Sequence, residues 1–268
     1  IKGVYSELSH MKEAKPVHRA QALCYAYIYA AEHKLKGIGV RMTYCYIPTE
    51  EVRYFSEYID FKSLKKWFFD LINSYAKWAA WQIKWQDTRN NSIKDIEFPF
   101  EYREGQNTLV KGVYQSNLRK KRLYIEAPTG VGKTISTLFP AVKSMGEELA
   151  EKIFYLTAKT ITRTVAQETF GILAESGVQI KYVTVTAKEK ICILDKPACN
   201  PGTCPRALGH FDRVNDAVYD ILTHENNISR EVILSYAEKH NVCPFEMCLD
   251  TTTWADAIIG DYNYAFNP

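Results

Sequence analysis

No apolar run in the 268-residue chain approaches the ~18–20 consecutive residues that a membrane-spanning helix needs. Residues 1–20 carry charge throughout and lack the apolar core of a signal peptide. Net charge is scarce as well. The chain has 34 basic residues against 31 acidic ones, a balance of +3, too small to argue for nucleic acid from bulk charge. Glycine and proline number 13 and 10, which excludes collagen-like and low-complexity chains. What remains is ordinary packing material: 46% apolar and 24% charged residues, enough for one large domain or two smaller ones. The seven cysteines are an odd count, so complete pairing into disulfides is impossible and their grouping matters more than their number. The chain lacks a starting Met and stops at Tyr264-Ala-Phe-Asn-Pro268 with no capped end, which reads as a piece of a longer polypeptide.

Residues 16–35 read as a helix. Pro16 suits a first helical position, and Ala20, Leu23, Tyr27, Ala30 and Ala31 recur at spacings of three and four. Residues 40–47 alternate, with Val40, Met42, Tyr44 and Tyr46 on one side, and residues 52–59 alternate after a Pro48-Thr-Glu-Glu51 turn, so the pair reads as a hairpin. A long helix is expected from about 61 to 86, with Trp78, Trp81 and Trp85 as a packed stripe rather than a base-stacking platform. The polar stretch 87–97 has no clear period and predicts a domain boundary, with one domain over 1–90 and another over 91–268. In the second, helices expected at 104–120, 133–147 and 160–175 alternate with short apolar strands at 123–126, 152–156 and 180–185. That order predicts an α/β domain with a mostly parallel sheet. A segment rich in Cys and Pro with helices at about 213–224 and 229–240 interrupts it, and a last buried strand is expected at 255–260. There is no internal repeat.

Ala127-Pro-Thr-Gly-Val-Gly-Lys-Thr134 has the pattern of a phosphate-binding loop between a strand and a helix. Gly130 and Gly132 let the backbone of the loop, Pro128, Thr129 and Val131 included, curl so that its available N–H groups face a phosphate chain. The helix N-terminus adds partial positive charge. Lys133 would reach the β- and γ-phosphates of ATP, and the Thr134 hydroxyl would hold Mg²⁺. Ala127 replaces the usual first glycine. Gln106 alone reads as a solvated helix residue, but 27 residues before Lys133 it resembles the adenine-reading glutamine of superfamily 2 helicases, whose amide can donate and accept at once. Thr157, Lys159 and Thr160, at the end of the next expected strand, suit sequence-blind contacts to phosphates of single-stranded DNA, and Thr160 could equally cap the following helix.

Cys192, Cys199, Cys204 and Cys243 lie in the interrupting segment, at Cys-x6-Cys-x4-Cys-x38-Cys. Four thiolates converging on one point suit Zn²⁺ or an iron–sulfur cluster. The spacing lacks paired zinc knuckles, and on chemistry alone both metals stay open. Buried free thiols are the plain alternative, against which the Pro- and Gly-rich polar surroundings argue. Cys248 reads as a spare thiol, and Cys24 and Cys45 read as packing residues.

Residues 98–268 resemble the first motor domain of the XPD/DinG family of iron–sulfur superfamily 2 DNA helicases. The matching residues are Phe98-Pro-Phe, Gln106, the loop 127–134, Lys188-Glu-Lys-Ile-Cys192, Cys243-Pro-Phe245 and Ala255-Asp-Ala-Ile-Ile-Gly-Asp-Tyr-Asn-Tyr264. The resemblance implies a RecA-like parallel sheet, a [4Fe–4S] cluster on the four cysteines in an insertion at about 188–250, and 5′→3′ unwinding of forked DNA. It also implies an Asp-Glu-Ala-His box and a second motor domain of the same polypeptide beyond Pro268, so residues 1–268 alone are expected to bind ATP without hydrolysing it efficiently.

Gln21-Ala-Leu-Cys-Tyr25 resembles the Gln-x3-Tyr element of RecB-like nucleases, in which the two side chains share a helical face and orient a catalytic lysine or a DNA phosphate. Ile1-Lys2 fits the end of a Glu-x-Lys motif, which gives Lys2 that lysine's place. Helix, hairpin and closing helix match the C-terminal half of an α+β nuclease fold. Plain helix residues are the simpler reading of Gln21 and Tyr25 taken alone. A nuclease–helicase of this order resembles a bacterial type acting in DNA repair, cytoplasmic and nucleoid-associated, with no membrane partner. Two other readings are a metal-stabilised single-strand-binding module that uses nucleotide as a switch, and a zinc-containing relative acting on RNA.

Overall fold

The computed structural model describes residues 1–266. Contacts divide the chain into two compact units, Ile1–Ala80 and Trp81–Pro268.

The first unit starts with a short strand β1 (Lys2–Val4) and a 3₁₀ turn (Leu8–His10), followed by α1 (Pro16–Glu32), β2 (Gly37–Tyr46), β3 (Glu51–Asp60) and the start of α2 (Phe61–Ile93). β1 runs parallel to β2, and β2 pairs antiparallel with β3 along its whole length, Gly37 opposite Asp60 and Tyr46 opposite Glu51. The strand period of two turns Val40, Met42 and Tyr44 inward, and all three are buried. Tyr44 and Met42 pack with Val4 and Leu8, while Val40 packs with Leu23, Ala26 and Leu64. The buried stripe of α1 is Leu23, Ala26 and Ala30.

In the second unit α3 (Gln106–Leu118), α4 (Lys133–Gly146) and α5 (Thr160–Glu175) alternate with β4 (Ile153–Leu156) and β5 (Tyr182–Thr184). A short helix α6 (Lys188–Ile191) leads into the cysteine segment. It carries α7 (His210–His224), the two-residue strand β6 (Asn227–Ile228), α8 (Arg230–Lys239) and α9 (Pro244–Trp254) before β7 (Ala257–Gly260) and α10 (Asn263–Phe266). The sheet has the order β4-β7-β5-β6, and every pair is parallel. β7, buried at every position, is the apolar centre of the sheet, while Phe154 on β4 stays exposed. The core joins Val110, Leu138, Phe139, Val142, Phe170, Leu173, Tyr182 and Ile259.

Three expectations are corrected. The strand expected at 123–126 is not in the sheet. Residues 121–128 run without regular structure, and Leu123, Tyr124 and Ile125 are exposed. An apolar run becomes a strand only where a neighbour completes its ladder, and neither edge of this sheet takes it up. The break expected at 87–97 is helical as far as Ile93, and the division between units falls inside α2, before the boundary expected at 90/91. The reason lies in the side chains at 81, 85, 89 and 93, one helical face. Trp81 and Trp85 stack at 6.5 Å, with Trp81 edge-on to Trp254, which bears out packing for these two tryptophans. Arg89 and Ile93 are buried. Finally, Thr160 is the first residue of α5 rather than its cap. Lys159 holds the cap position, with no side-chain cap bond.

A buried polar node fastens this helical face to the sheet. Asp256, just before β7, accepts from Arg89 Nη1 at 2.8 Å, from Trp85 Nε1 at 2.9 Å and from the Lys181 backbone N–H at 2.8 Å. The Lys181 ammonium lies 4.0 Å from the Trp85 ring centroid and donates to the Glu225 carbonyl and Asn226 Oδ1. Burial pushes its pKa down to about 8, against the pull of Asp256 and Glu225.

Candidate nucleotide and cysteine sites

The loop 127–132 leads into α4. Gly130 and Gly132 both have positive φ, +87° and +72°, which side chains other than glycine's rarely adopt. Gly132 is also crowded: a Cβ there would stand 2.8 Å from Gln106 Nε2. The loop is closed on itself. Lys133 Nζ donates to the carbonyls of Pro128 at 2.7 Å and Ala127 at 3.1 Å. Thr129 and Gly130 are exposed, Val131 and Thr134 partly so.

Gln106 opens α3 and is buried. Its Nε2 donates to the Val131 carbonyl at 3.2 Å, and its Oε1 accepts from the Arg103 N–H at 3.0 Å. Gln106 thus stands against the phosphate loop, with its amide engaged by the loop and by Arg103. Reading a base requires exchanging both contacts. Arg103 is a residue that motif reasoning missed. Its guanidinium donates to the Gly130 carbonyl at 2.6 Å, so Arg103 and Gln106 hold consecutive loop carbonyls. The only signal in the sequence was its place three residues before Gln106. Beside this latch an open hollow of about 750 Å³ lies between α3 and residues 123–131, lined by Leu109, Gly112, Leu123, Ile125 and Val131.

Thr157, Lys159 and Thr160 sit together at the carboxyl end of β4. Thr157 donates its N–H to the Gly260 carbonyl, and its hydroxyl accepts from the Lys159 N–H. Lys159 and Thr160 are exposed. Carboxyl ends of parallel strands are where such sheets bind ligands.

The four cysteines of the interrupting segment, distant in sequence, line one cavity of about 350 Å³, together with Lys188, His210, Phe245 and Glu246. Cys204 is buried, Cys199 exposed, and Cys192 and Cys243 are intermediate. Among the described residues no group of three or more His, Cys, Asp or Glu is gathered closely enough to hold a metal ion. Cys248 is fully buried away from this lining, and burial raises its pKa to about 11, as befits a packing thiol. Burial also raises the Cys243 thiol. Lys188 Nζ stands 3.7 Å from Cys199 Sγ, 3.4 Å from Glu246 and over the Phe245 ring. Burial works against its charge, yet Glu246 and Cys199 outweigh that and its pKa is raised.

In the first unit Lys2 Nζ donates to Gln21 Oε1 at 2.8 Å, so β1 and α1 bring together two of the three expected residues. Tyr25, one turn further along α1, is exposed. His18, on the turn before Gln21, was not singled out. Its Nδ1 meets the buried Tyr44 hydroxyl at 3.0 Å, and that hydroxyl accepts the Lys15 N–H. Burial first, then Lys2 and Lys15, lower its pKa.

Comparison with known proteins gives a distant relationship. The chain is 24% identical, over an alignment of 220 residues, to a regulator of telomere elongation helicase 1 homolog of Caenorhabditis briggsae, and equally so to that of Caenorhabditis elegans. The alignments cover 66% of this chain and 22% of each relative, so the chain spans about a fifth of their length. No family model matches. The relationship is helicase-like at this coarse level, in keeping with an α/β unit built on a parallel sheet. Among the described residues no helix is long and apolar enough to cross a membrane.

Proposed function

We propose that the second unit is the ATP-binding motor domain of an iron–sulfur DNA helicase of the XPD/DinG type, and that the first unit is the C-terminal part of a RecB-like nuclease domain. The observation that carries this reading is the presence, in one unit, of a glycine-hinged loop at the start of α4 and a cavity lined by four cysteines. The distant helicase relatives support it. On this reading Lys133 leaves the carbonyls of Ala127 and Pro128 for the β- and γ-phosphates. The N–H groups from Thr129 to Lys133 cradle the phosphates, and the Thr134 hydroxyl faces Mg²⁺. Opening the loop also releases Gln106 from Val131, which frees its amide for the base. Thr157, Lys159 and Thr160 hold phosphates of single-stranded DNA, and binding of a second motor domain across the nucleotide would step those contacts along the strand. Hydrolysis needs an acidic box that residues 1–268 do not contain. Cys192, Cys199, Cys204 and Cys243 would hold a [4Fe–4S] cluster, which when bound supplies a rigid covalent node for the strand-parting segment. Lys2, Gln21 and Tyr25 would steer a DNA phosphate in the nuclease half. The implied setting is DNA repair in the bacterial cytoplasm.

The deciding experiment is calorimetric titration of the anaerobically purified chain with Mg·ATP, alongside iron and sulfide analysis. The reading expects one nucleotide site and about four irons per chain. A charge-assisted contact contributes ~1.5–3 kcal/mol, so Lys133→Ala should weaken binding roughly 10- to 100-fold. No nucleotide binding by the parent chain would overturn the motor reading, and zinc in place of iron would overturn the family.

A further inference from the structure

Three side chains tie down the carbonyls of the loop 127–132. Lys133 Nζ holds those of Ala127 and Pro128, Gln106 Nε2 holds that of Val131, and Arg103 Nη1 holds that of Gly130 at 2.6 Å. A trans peptide unit points its C=O and its N–H in opposite directions. Fixing the Gly130 carbonyl therefore fixes the Val131 N–H, which belongs to the same peptide plane. The tie on Val131 fixes the Gly132 N–H in the same way. Gly130 and Gly132 stand at positive φ on either side of Val131, which does not. Such alternation turns successive N–H groups to one side and makes a concavity for an anion.

The three ties differ in what a nucleotide asks of them. On the reading proposed above, Lys133 leaves its carbonyls for the phosphates and Gln106 leaves Val131 for the base. Only the Arg103 contact competes with neither. A hydrogen bond from a guanidinium is among the stronger kinds, and it is the one tie left when the other two are exchanged. We infer that Arg103 is a positioning residue for the phosphate chain: it keeps the Gly130 carbonyl while Lys133 and Gln106 change partners, and so holds the Val131 N–H toward the phosphates. This gives Arg103 a part in binding phosphate and none in reading the base.

The inference rests on the ATP-binding reading, and the test separates the two. The full chain and its Arg103→Met and Arg103→Lys variants are titrated calorimetrically with Mg·ATP, Mg·GTP and magnesium tripolyphosphate, which has the phosphate chain and no base. Arg103→Met removes the donor and should weaken all three about tenfold, with the ATP-to-GTP ratio unchanged. The loss should persist from ~0.05 to ~0.5 M salt, a range over which attraction by an exposed charge is screened away. Arg103→Lys keeps a charged donor and should recover most of the loss. The three proteins should unfold at the same temperature, because Arg103 is exposed. Tripolyphosphate should shift the amide resonances of Val131 and Gly132 in the parent chain, and the Val131 shift should shrink in Arg103→Met. Unchanged tripolyphosphate affinity and an unchanged Val131 shift in that variant would sink the inference and leave the ATP site standing. A loss confined to Mg·ATP would make Arg103 a reader of the base, and a loss that vanishes at high salt would make it a surface charge; either overturns the inference. Lowered unfolding temperatures in both variants, with equal loss of binding, would reduce Arg103 to a structural contact. A parent chain that binds none of the three ligands removes the motor reading, and this inference with it.

Discussion

At the scale of single residues, the second unit depends on charges placed where solvent cannot compensate them. Asp256 is the clearest. Its two oxygens take three donors, one of them Arg89, with both side chains of the ion pair less than a tenth exposed. Breaking a buried pair from one side leaves an uncompensated charge and costs ~3–5 kcal/mol. Arg89→Met should therefore lower stability by about that much, and Arg89→Met with Asp256→Asn by less than the sum of the single losses, a coupling that denaturant titration of the four proteins would read. Lys181 makes a second prediction. Its folded pKa of about 8 lies below the ordinary 10.5, so between those values the unfolded chain binds more protons. Stability should then rise with pH from about 8 to 10.5, a drop of that size corresponding to roughly 3 kcal/mol, and level off below 8, where the folded and unfolded chains are both protonated. Lys181→Met should flatten that rise. Equal slopes in the two proteins would place the alkaline dependence elsewhere.

At the scale of elements, the question is what makes residues 87–93 helical. The segment Asp87-Thr-Arg-Asn-Asn-Ser-Ile93 is polar at six positions of seven, and read by composition it is a linker. Its one periodic signal is the four-residue step from Trp81 through Trp85 and Arg89 to Ile93, broken by a charged residue at one of its four positions. Hydrophobic periodicity cannot register an arginine as core, because the partner that makes Arg89 buriable, Asp256, lies 167 residues away. Ile93 then packs where Gly146 leaves room: a Cβ on Gly146 would stand 2.5 Å from Ile93 Cγ2. Asp87, exposed on this helix, gives a direct test. Asp87→Pro should cost ~3 kcal/mol or more if the stretch is helix and almost nothing if it is a linker, as circular dichroism and thermal unfolding would report. The strand expected at 123–126 fails for the complementary reason. Its apolar residues were legible, but a strand is a property of two chains' worth of backbone, and composition does not say whether a neighbour is there. The strands at 153–156, 182–184 and 257–260 were legible because each is short, apolar and bounded by helices with caps or turns. At the candidate sites the sequence showed which residues carry chemistry. It did not show Arg103, whose contact is to a backbone carbonyl of the loop, and backbone partners leave no trace in residue identity.

At the scale of the whole molecule, the division between the units decides which piece of the chain is self-sufficient. A fragment beginning at the linker expected from composition, near Asn91, keeps the phosphate loop, the four cysteines and all four strands of the parallel sheet. It nevertheless removes Trp81, Trp85 and Arg89 and strips Asp256 of two of its three donors. A fragment beginning at Trp81 keeps the whole node. The two differ by ten residues of helix and by one buried ion pair, and the pair dominates, since uncompensated burial costs ~3–5 kcal/mol out of a total near ~5–15 kcal/mol for an ordinary domain. Residues 81–268 should therefore unfold in one cooperative transition, while residues 91–268 should melt at least several degrees lower or be recovered only in part. Asp256→Asn in the shorter fragment removes the stranded charge and should recover part of the difference; in the longer one it should only destabilise. Differential scanning calorimetry on the four proteins tests this sign reversal, and a shorter fragment as stable as the longer would show that the helical face of Trp81 to Ile93 is an appendage to the sheet rather than part of its core.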